Sequence, residues 1–163
     1  EQRFGGRIFR QESGLWHHWQ VGISVDAALP FSGTDEVPIF ERYFLGGRNM
    51  RGFEFREVGP RSNGRPSGGD FLLLVPIQYV VPIAYEEDTG FGLDLVFFLD
   101  QGGLADDAGD FGGDDWRASA GFGIAISFGG PTQPPLEIDF GFPLRDRAGD
   151  RKQVISLTFQ RNF

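Results

Sequence analysis

The sequence predicts an all-β fold: an antiparallel transmembrane β-barrel of about eight strands, seven of them countable directly, with one long loop folded inward. Three observations predict it. The 163 residues hold 25 glycines and 18 phenylalanines against one methionine, and no window gathers the Ala, Leu, Lys and Glu that build helices. Apolar and polar residues alternate with a period of two in segment after segment, and the polar faces are glycine, serine, glutamine and carboxylate. The connections alternate between long and short. Disorder is excluded, because a chain with 15% aromatic residues has too much apolar surface to stay solvated.

In chain order, Arg3–Gln11 (RFGGRIFRQ) is a short first strand weakened by its glycine pair. From Trp19 to Ala27, Trp19, Val21, Ile23 and Val25 point one way and His18, Gln20, Gly22, Ser24 and Asp26 the other. A loop of residues 30–70 follows. Phe71–Pro82 sets Phe71, Leu73, Val75, Ile77, Tyr79 and Val81 opposite Gln78, with Pro76 and Pro82 arguing for an edge or a bulge. Phe91–Asp100 turns Phe91, Leu93, Leu95, Phe97 and Leu99 outward and Asp94, Val96, Phe98 and Asp100 inward. Gln101–Asp115 is an aperiodic glycine and aspartate loop. Trp116–Phe128 and Leu136–Phe142 alternate again, the second with Glu137, Asp139 and Gly141 on its polar face. After the charged loop Pro143–Lys152, the last strand, Gln153–Phe163, sets Ile155, Leu157, Phe159 and Phe163 opposite Ser156, Thr158, Gln160 and Asn162.

Large apolar faces opposed by small polar ones are the inside-out pattern of a membrane barrel. Long Pro30–Asp70, short Glu86–Gly90, long Gln101–Asp115 and short Gly129–Pro134 connections then give an orientation, with the C-terminus periplasmic. The alternative is a soluble sandwich or lipocalin-like barrel with its apolar faces turned inward and Asp26, Asp94, Asp100, Glu137 and Asp139 solvated.

Other function classes are excluded or weakened. No run of about eighteen apolar residues is present, so no transmembrane helix is expected. No basic segment leads into an apolar one at the N-terminus, so a signal peptide is expected to have been removed already. Cysteine is absent, which removes disulfides and thiolate metal sites. A net charge of −8 argues against a nucleic-acid partner. No nucleophile, base and orienting group stand together, and no glycine motif cradles phosphate. His17 and His18 beside Trp16 and Trp19 read as an interfacial aromatic belt, and Asp106, Asp107, Asp110, Asp114 and Asp115 as a solvated loop without calcium-loop spacing. No metal and no cofactor are expected.

The stretch 38–61, PIFERYFLGGRNMRGFEFREVGPR, stands apart. Its centre, Arg51-Gly52-Phe53, joins a cation to an aromatic ring through a residue of free backbone, and Phe40, Tyr43, Phe44 and Phe55 surround it. A long loop this aromatic is expected to be ordered and buried.

Three motifs carry a family resemblance. They are Phe40-Glu41-Arg42-Tyr43-Phe44 through Gly46-Gly47 to Met50-Arg51-Gly52-Phe53 and Val58-Gly59-Pro60-Arg61; Phe97-Phe98-Leu99-Asp100-Gln101-Gly102; and Gly141-Phe142-Pro143-Leu144 with the final strand. They resemble the sixth-loop signature, the F-x-D-x-G strand and the closing strand of the BamA-type outer-membrane assembly factors and their relatives in two-partner secretion and chloroplast import. The likeness covers about Trp16 to Phe163, the C-terminal half of the family's barrel. It implies that the loop enters the lumen and that Arg51 meets Asp100 and stacks with Phe98. Gln78 stands where the family often has a glutamate; it can accept a hydrogen bond but carries no charge, which weakens the lock.

The resemblance further implies a bacterial outer-membrane protein, not an enzyme, that assists insertion or translocation of outer-membrane proteins. The edge of the last strand would template an incoming one. Its partners would be a lipid bilayer or detergent, unfolded outer-membrane proteins and a second copy of the chain. The alternative is a small structural barrel without insertase activity. The chain is expected to be a single barrel domain, 1–163, lacking the family's periplasmic polypeptide-transport-associated domains. Seven strands is an odd number: the first strand is really two, part of the loop counts as a strand, or the chain is part of a larger barrel. A small closed barrel would leave little room for the loop, which would be partly expelled unless two copies paired edge to edge.

Overall fold

A computed structural model describes residues 2–30, 36–129 and 135–159. Seven strands form one antiparallel meander: β1 (Gln2–Arg10), β2 (Trp16–Ala27), β3 (Phe71–Glu86), β4 (Phe91–Ala105), β5 (Trp116–Ser127), β6 (Leu136–Arg145) and β7 (Ile155–Phe159). Each pairs with its neighbours in the chain, and β1 and β7 are the two edges, so the sheet is open. Phe163, Gln160 and Asn162 lie outside the described residues, as does most of the connection before β6.

The period-two reading holds from β2 to β7, whereas β1 is exposed along both of its faces. Ile23, Val25, Phe97, Phe122, Ile124, Phe142, Leu144, Ile155, Leu157 and Phe159 are exposed on the outer face. Val96, Phe98, Asp100, Ser119, Ala125, Glu137 and Asp139 are buried on the inner one. The prolines sit where the ladder is broken. Between β2 and β3 pairing skips from Val21↔Ile77 to Ser24↔Leu74, leaving Pro76 without a partner that needs its missing N–H. Gly22 faces it there, and a Cβ at that position would lie 3.0 Å from the proline ring. Pro82 stands at the register shift between β3 and β4.

Strand lengths differ from the sequence expectation. β4 runs five residues past Asp100, to Ala105, because Gly102 and Gly103 still pair with both neighbours, opposite Leu74 and Leu73 on one side and Arg117 and Trp116 on the other. The turn-like composition of that stretch reflects close packing, since a Cβ on Gly103 would lie 2.7 Å from the backbone oxygen of Asp115. β3 extends to Glu86 and β6 through Pro143 to Arg145. The expected last strand is divided: Lys152–Gln153 pairs with the long loop, and β7 begins only at Ile155.

Phe122 lies at the middle of the outer face, opposite Phe97 and stacked on Phe140 at 5.2 Å. Phe122→Arg is expected to destabilise the protein in lipid vesicles by about 2–4 kcal/mol, read from urea unfolding followed by tryptophan fluorescence. A loss under about 0.5 kcal/mol would mean that this face meets water.

Candidate functional site

The long loop is folded. Its ends are pinned together by the Ala28 N–H, which donates to the Asp70 carbonyl at 2.7 Å. Tyr43 and Gly69 exchange backbone bonds of 2.9 and 3.0 Å, and the Val58 N–H reaches the Leu45 carbonyl. Two-residue strands at Arg61–Ser62 and Arg65–Pro66 close a small hairpin between them. Leu45, Met50, Phe53 and Val58 of the loop pack with Leu72 of β3 and Leu104 of β4 into a buried core, flanked by Tyr43 and Leu74. The buried aromatic ring is Phe53; Phe40 and Phe55, expected to be buried, are 81% and 64% exposed. Phe44 and Phe55 instead flank the Arg56 guanidinium, which lies 4.5 Å above the Phe44 ring.

Glycines bring the loop tip to the wall. Gly52 has φ +90°, a conformation that side chains other than glycine rarely adopt, and it leads Arg51 down onto the inner face. Gly141 of β6 lies beneath it: a Cβ there would sit 2.5 Å from the Gly52 nitrogen. Gly121 of β5 leaves space for the Phe98 ring, and Gly123 leaves space for the Asp139 carboxylate.

Arg51 is 5% exposed and Asp100 3%. Arg51 Nε donates to Asp100 Oδ2 at 2.8 Å and Nη2 to Oδ1 at 2.9 Å, a bidentate pair, and the Arg51 backbone N–H adds a third bond at 3.1 Å. The guanidinium lies 3.7 Å above the centroid of Phe98. Nη1 donates to Glu137 Oε1 at 3.2 Å, lies 3.7 Å from Asp139 Oδ1, and reaches Gln78 Oε1 at 3.4 Å. Burial alone would lower the proton affinity of Arg51. The Asp100 hydrogen bond and the charges of Asp100, Asp139 and Glu137 outweigh it and hold the pKa above the ordinary arginine value, so the group stays charged.

The structure thus brings Arg51, Asp100, Phe98 and Gln78 together, with Gly52 and Phe53 seating the tip. Ile155, Leu157 and Phe159 face outward on β7, away from this cluster. Sequence reasoning placed Glu137 and Asp139 on the inner face without linking them to Arg51. They supply the charge that Gln78 lacks, and the second full carboxylate contact comes from β6 rather than β3. Asp139 accepts no hydrogen bond among the described residues.

A second buried ion pair was not read from the sequence at all. Arg117 of β5 binds Asp150 through Nε, with both side chains almost fully buried, and donates through Nη1 to the Asp114 carbonyl at 2.6 Å. Asp150 also accepts from the backbone of Arg147 at 2.8 Å and of Gly59 at 3.5 Å, tying the long loop to the β6–β7 connection. Arg42 makes a further anchor, donating to the Val37 carbonyl at 2.9 Å and pairing with Asp70 at 3.3 Å. Among the described residues no group of acidic or histidine side chains has the arrangement to hold a metal ion. His17 instead contacts the Tyr79 hydroxyl at 2.6 Å.

This architecture has known counterparts. The Omp85 superfamily domain matches residues 11–163. The chain is 33% identical over 140 residues to the outer membrane protein assembly factor BamA of Nitratidesulfovibrio vulgaris, covering 84% of this chain and 17% of that protein. It is 29% identical over 131 residues to the sorting and assembly machinery component 50 homolog A of Xenopus laevis, covering 73% and 28%. The chain therefore spans less than a third of the curated relatives it matches. In fold it resembles the crystal structure of BamA from Haemophilus ducreyi lacking POTRA domains 1–3, with a TM-score of 0.67 at 20% identity, covering 95% of this chain and 33% of that one. The chain belongs to the Omp85 superfamily and, within it, to the BamA-type family.

Proposed function

We propose that this chain forms part of an outer-membrane barrel that assists the insertion or translocation of outer-membrane proteins, without covalent catalysis. The observation that carries the reading is the seating of Arg51 on Asp100 inside the sheet. A passive barrel gains nothing from burying a charged loop tip against its wall, since replacing a buried ion pair by apolar packing is often neutral or stabilising. A barrel that must hold its lumen and its last strand in one arrangement gains specificity. In this reading the free edge of β7 templates an incoming strand by adding it to the sheet. The long connections face the outside and the chain ends on the periplasmic side. The partners are the lipid bilayer and unfolded outer-membrane proteins, and a second copy of the chain is one way to close the open sheet.

Reconstituted into liposomes, the full-length protein is expected to speed insertion of a urea-unfolded outer-membrane barrel protein, scored by its heat-modifiable migration. A rate equal to that of empty liposomes would leave the structural-barrel reading in its place. For the lock, Arg51→Ala and Asp100→Asn are each expected to cost about 3–5 kcal/mol of stability. The double variant should lose less than their sum by at least about 1 kcal/mol, and additive losses would show that the two side chains act independently. Gln78→Glu is expected to bring no gain in stability, because Glu137 already fills the charged contact and a further carboxylate would crowd one cation. A gain above about 1 kcal/mol would mean that Glu137 does not serve this role.

A further inference from the structure

β7 has two edges, and the backbone shows which residues serve each. The Gly141 N–H donates to the Val154 carbonyl at 2.8 Å, so Val154 turns its backbone groups toward β6. By alternation Ser156 and Thr158, opposite Asp139 and Glu137, do the same. Ile155, Leu157 and Phe159 then point their N–H and C=O groups the other way, to the edge where the sheet ends. Arg151 and Gln153 share that parity, and here the edge is occupied. Gln153 pairs with Gly52 and Lys152 with Phe53, in antiparallel register. The Glu54 N–H donates to the Arg151 carbonyl at 2.9 Å, and the Arg151 N–H reaches the Glu57 carbonyl at 3.4 Å.

β6 helps to set this arrangement. Pro143 follows Gly141 by two residues and so faces the same edge of β6, where it has no N–H to give. The ladder to the last strand ends there, and residues 151–153 leave the wall for the loop tip. Gly141 makes the turn-off possible, because only a residue without a side chain lets the Gly52 backbone lie against it.

We propose that the loop tip is a cap on the free edge of the last strand: Gly52–Phe53 takes the strand position beside Lys152–Gln153. An extended segment of an incoming polypeptide, pairing along Ile155–Phe159, can advance past Val154 only by displacing it. Arg51 adjoins the capping residues and is fixed to Asp100, so the lock sets how far an added strand can zip. The partner is an extended, hydrogen-bonding strand, and its identification as substrate rests on the strand-templating reading above.

The cap is tested apart from that reading. The chain has no cysteine, so Glu54→Cys with Arg151→Cys reports their contact by disulfide formation in outer-membrane preparations of the full-length protein. The yield should fall at least about threefold when Arg51→Ala is added, and amide exchange at Arg151 and Gln153 should speed by about tenfold while Ser156 and Thr158 keep their rates. Gly52→Ala, which strains the tip without touching the ion pair, should act in the same direction and serves where Arg51→Ala fails to fold. Unchanged yield and exchange in the variants that fold would overturn the cap. The partner is then tested with a photocrosslinker at position 153 or 157 and a urea-unfolded outer-membrane barrel protein as probe. Crosslinking at 153 should rise severalfold in Arg51→Ala and vanish in the oxidised double-cysteine protein, with crosslinking at 157 steady. Equal crosslinking at 153 in all forms would overturn the limit on zipping. Absence of crosslinking at 157 would remove strand templating but leave the cap, as judged by the first test, in place.

Discussion

A guanidinium buried to the extent of Arg51 has to be paired, and most of the local architecture follows from that requirement. Removing such a charge from water is offset only if its donors are matched in number and direction. The bidentate Asp100 carboxylate, the Phe98 face and the Glu137 contact meet the demand on three sides. The cluster needs space that ordinary wall residues would fill: Gly121 admits the Phe98 ring, Gly123 the Asp139 carboxylate and Gly141 the Gly52 backbone. A glycine-rich inner face looks like weak strand composition, yet it is what allows large polar groups to stand inside a narrow sheet.

One ion pair cannot order a loop of this length by itself, since each residue fixed costs about 1–2 kcal/mol of backbone entropy. The loop therefore folds as a small unit with its own apolar core, in which Leu45, Met50, Phe53 and Val58 bury against Leu72 and Leu104. Arg117–Asp150 holds it from the far end, where Asp150 also takes the Gly59 N–H. The exposed pairs, such as Lys152 with Asp146, contribute little beside these. The tip is placed by charge, the body by apolar packing and the outer margin by a buried pair, so the three parts can be perturbed separately.

Much of this was legible in the sequence because alternation is a local signal. The parity of Phe98 and Asp100 puts both on the inner face, and the Arg-Gly-Phe triplet marks a tip that can bend. What the sequence hid was diagonal. Glu137 meets the same guanidinium as Asp100 from two strands away, across β5, and a period of two says nothing about which residues two strands apart share a partner. Asp150 sits in a run of mixed charge in which no single carboxylate stands out. The division at Val154 was invisible because Gln153, Ile155 and Leu157 continue the alternation smoothly; the signal lay on the neighbouring strand, in Pro143. Phe40 and Phe55 misled in the opposite direction, since aromatic content marks a loop as ordered without saying which rings are inside.

The replacement of a charged acceptor by Gln78 changes where the lock is anchored. Had β3 carried the second carboxylate, Arg51 would bridge β3 and β4, two adjacent strands far from the free edge at β7. With Glu137 in that role the guanidinium spans β4 and β6, and β6 is the strand on which β7 rests. The same strand supplies Gly141, against which the Gly52 backbone lies, and Pro143, which ends the ladder to the last strand. Weakening on the β3 side and strengthening on the β6 side therefore move the charge-bearing contact toward the free edge, onto the strand that carries β7.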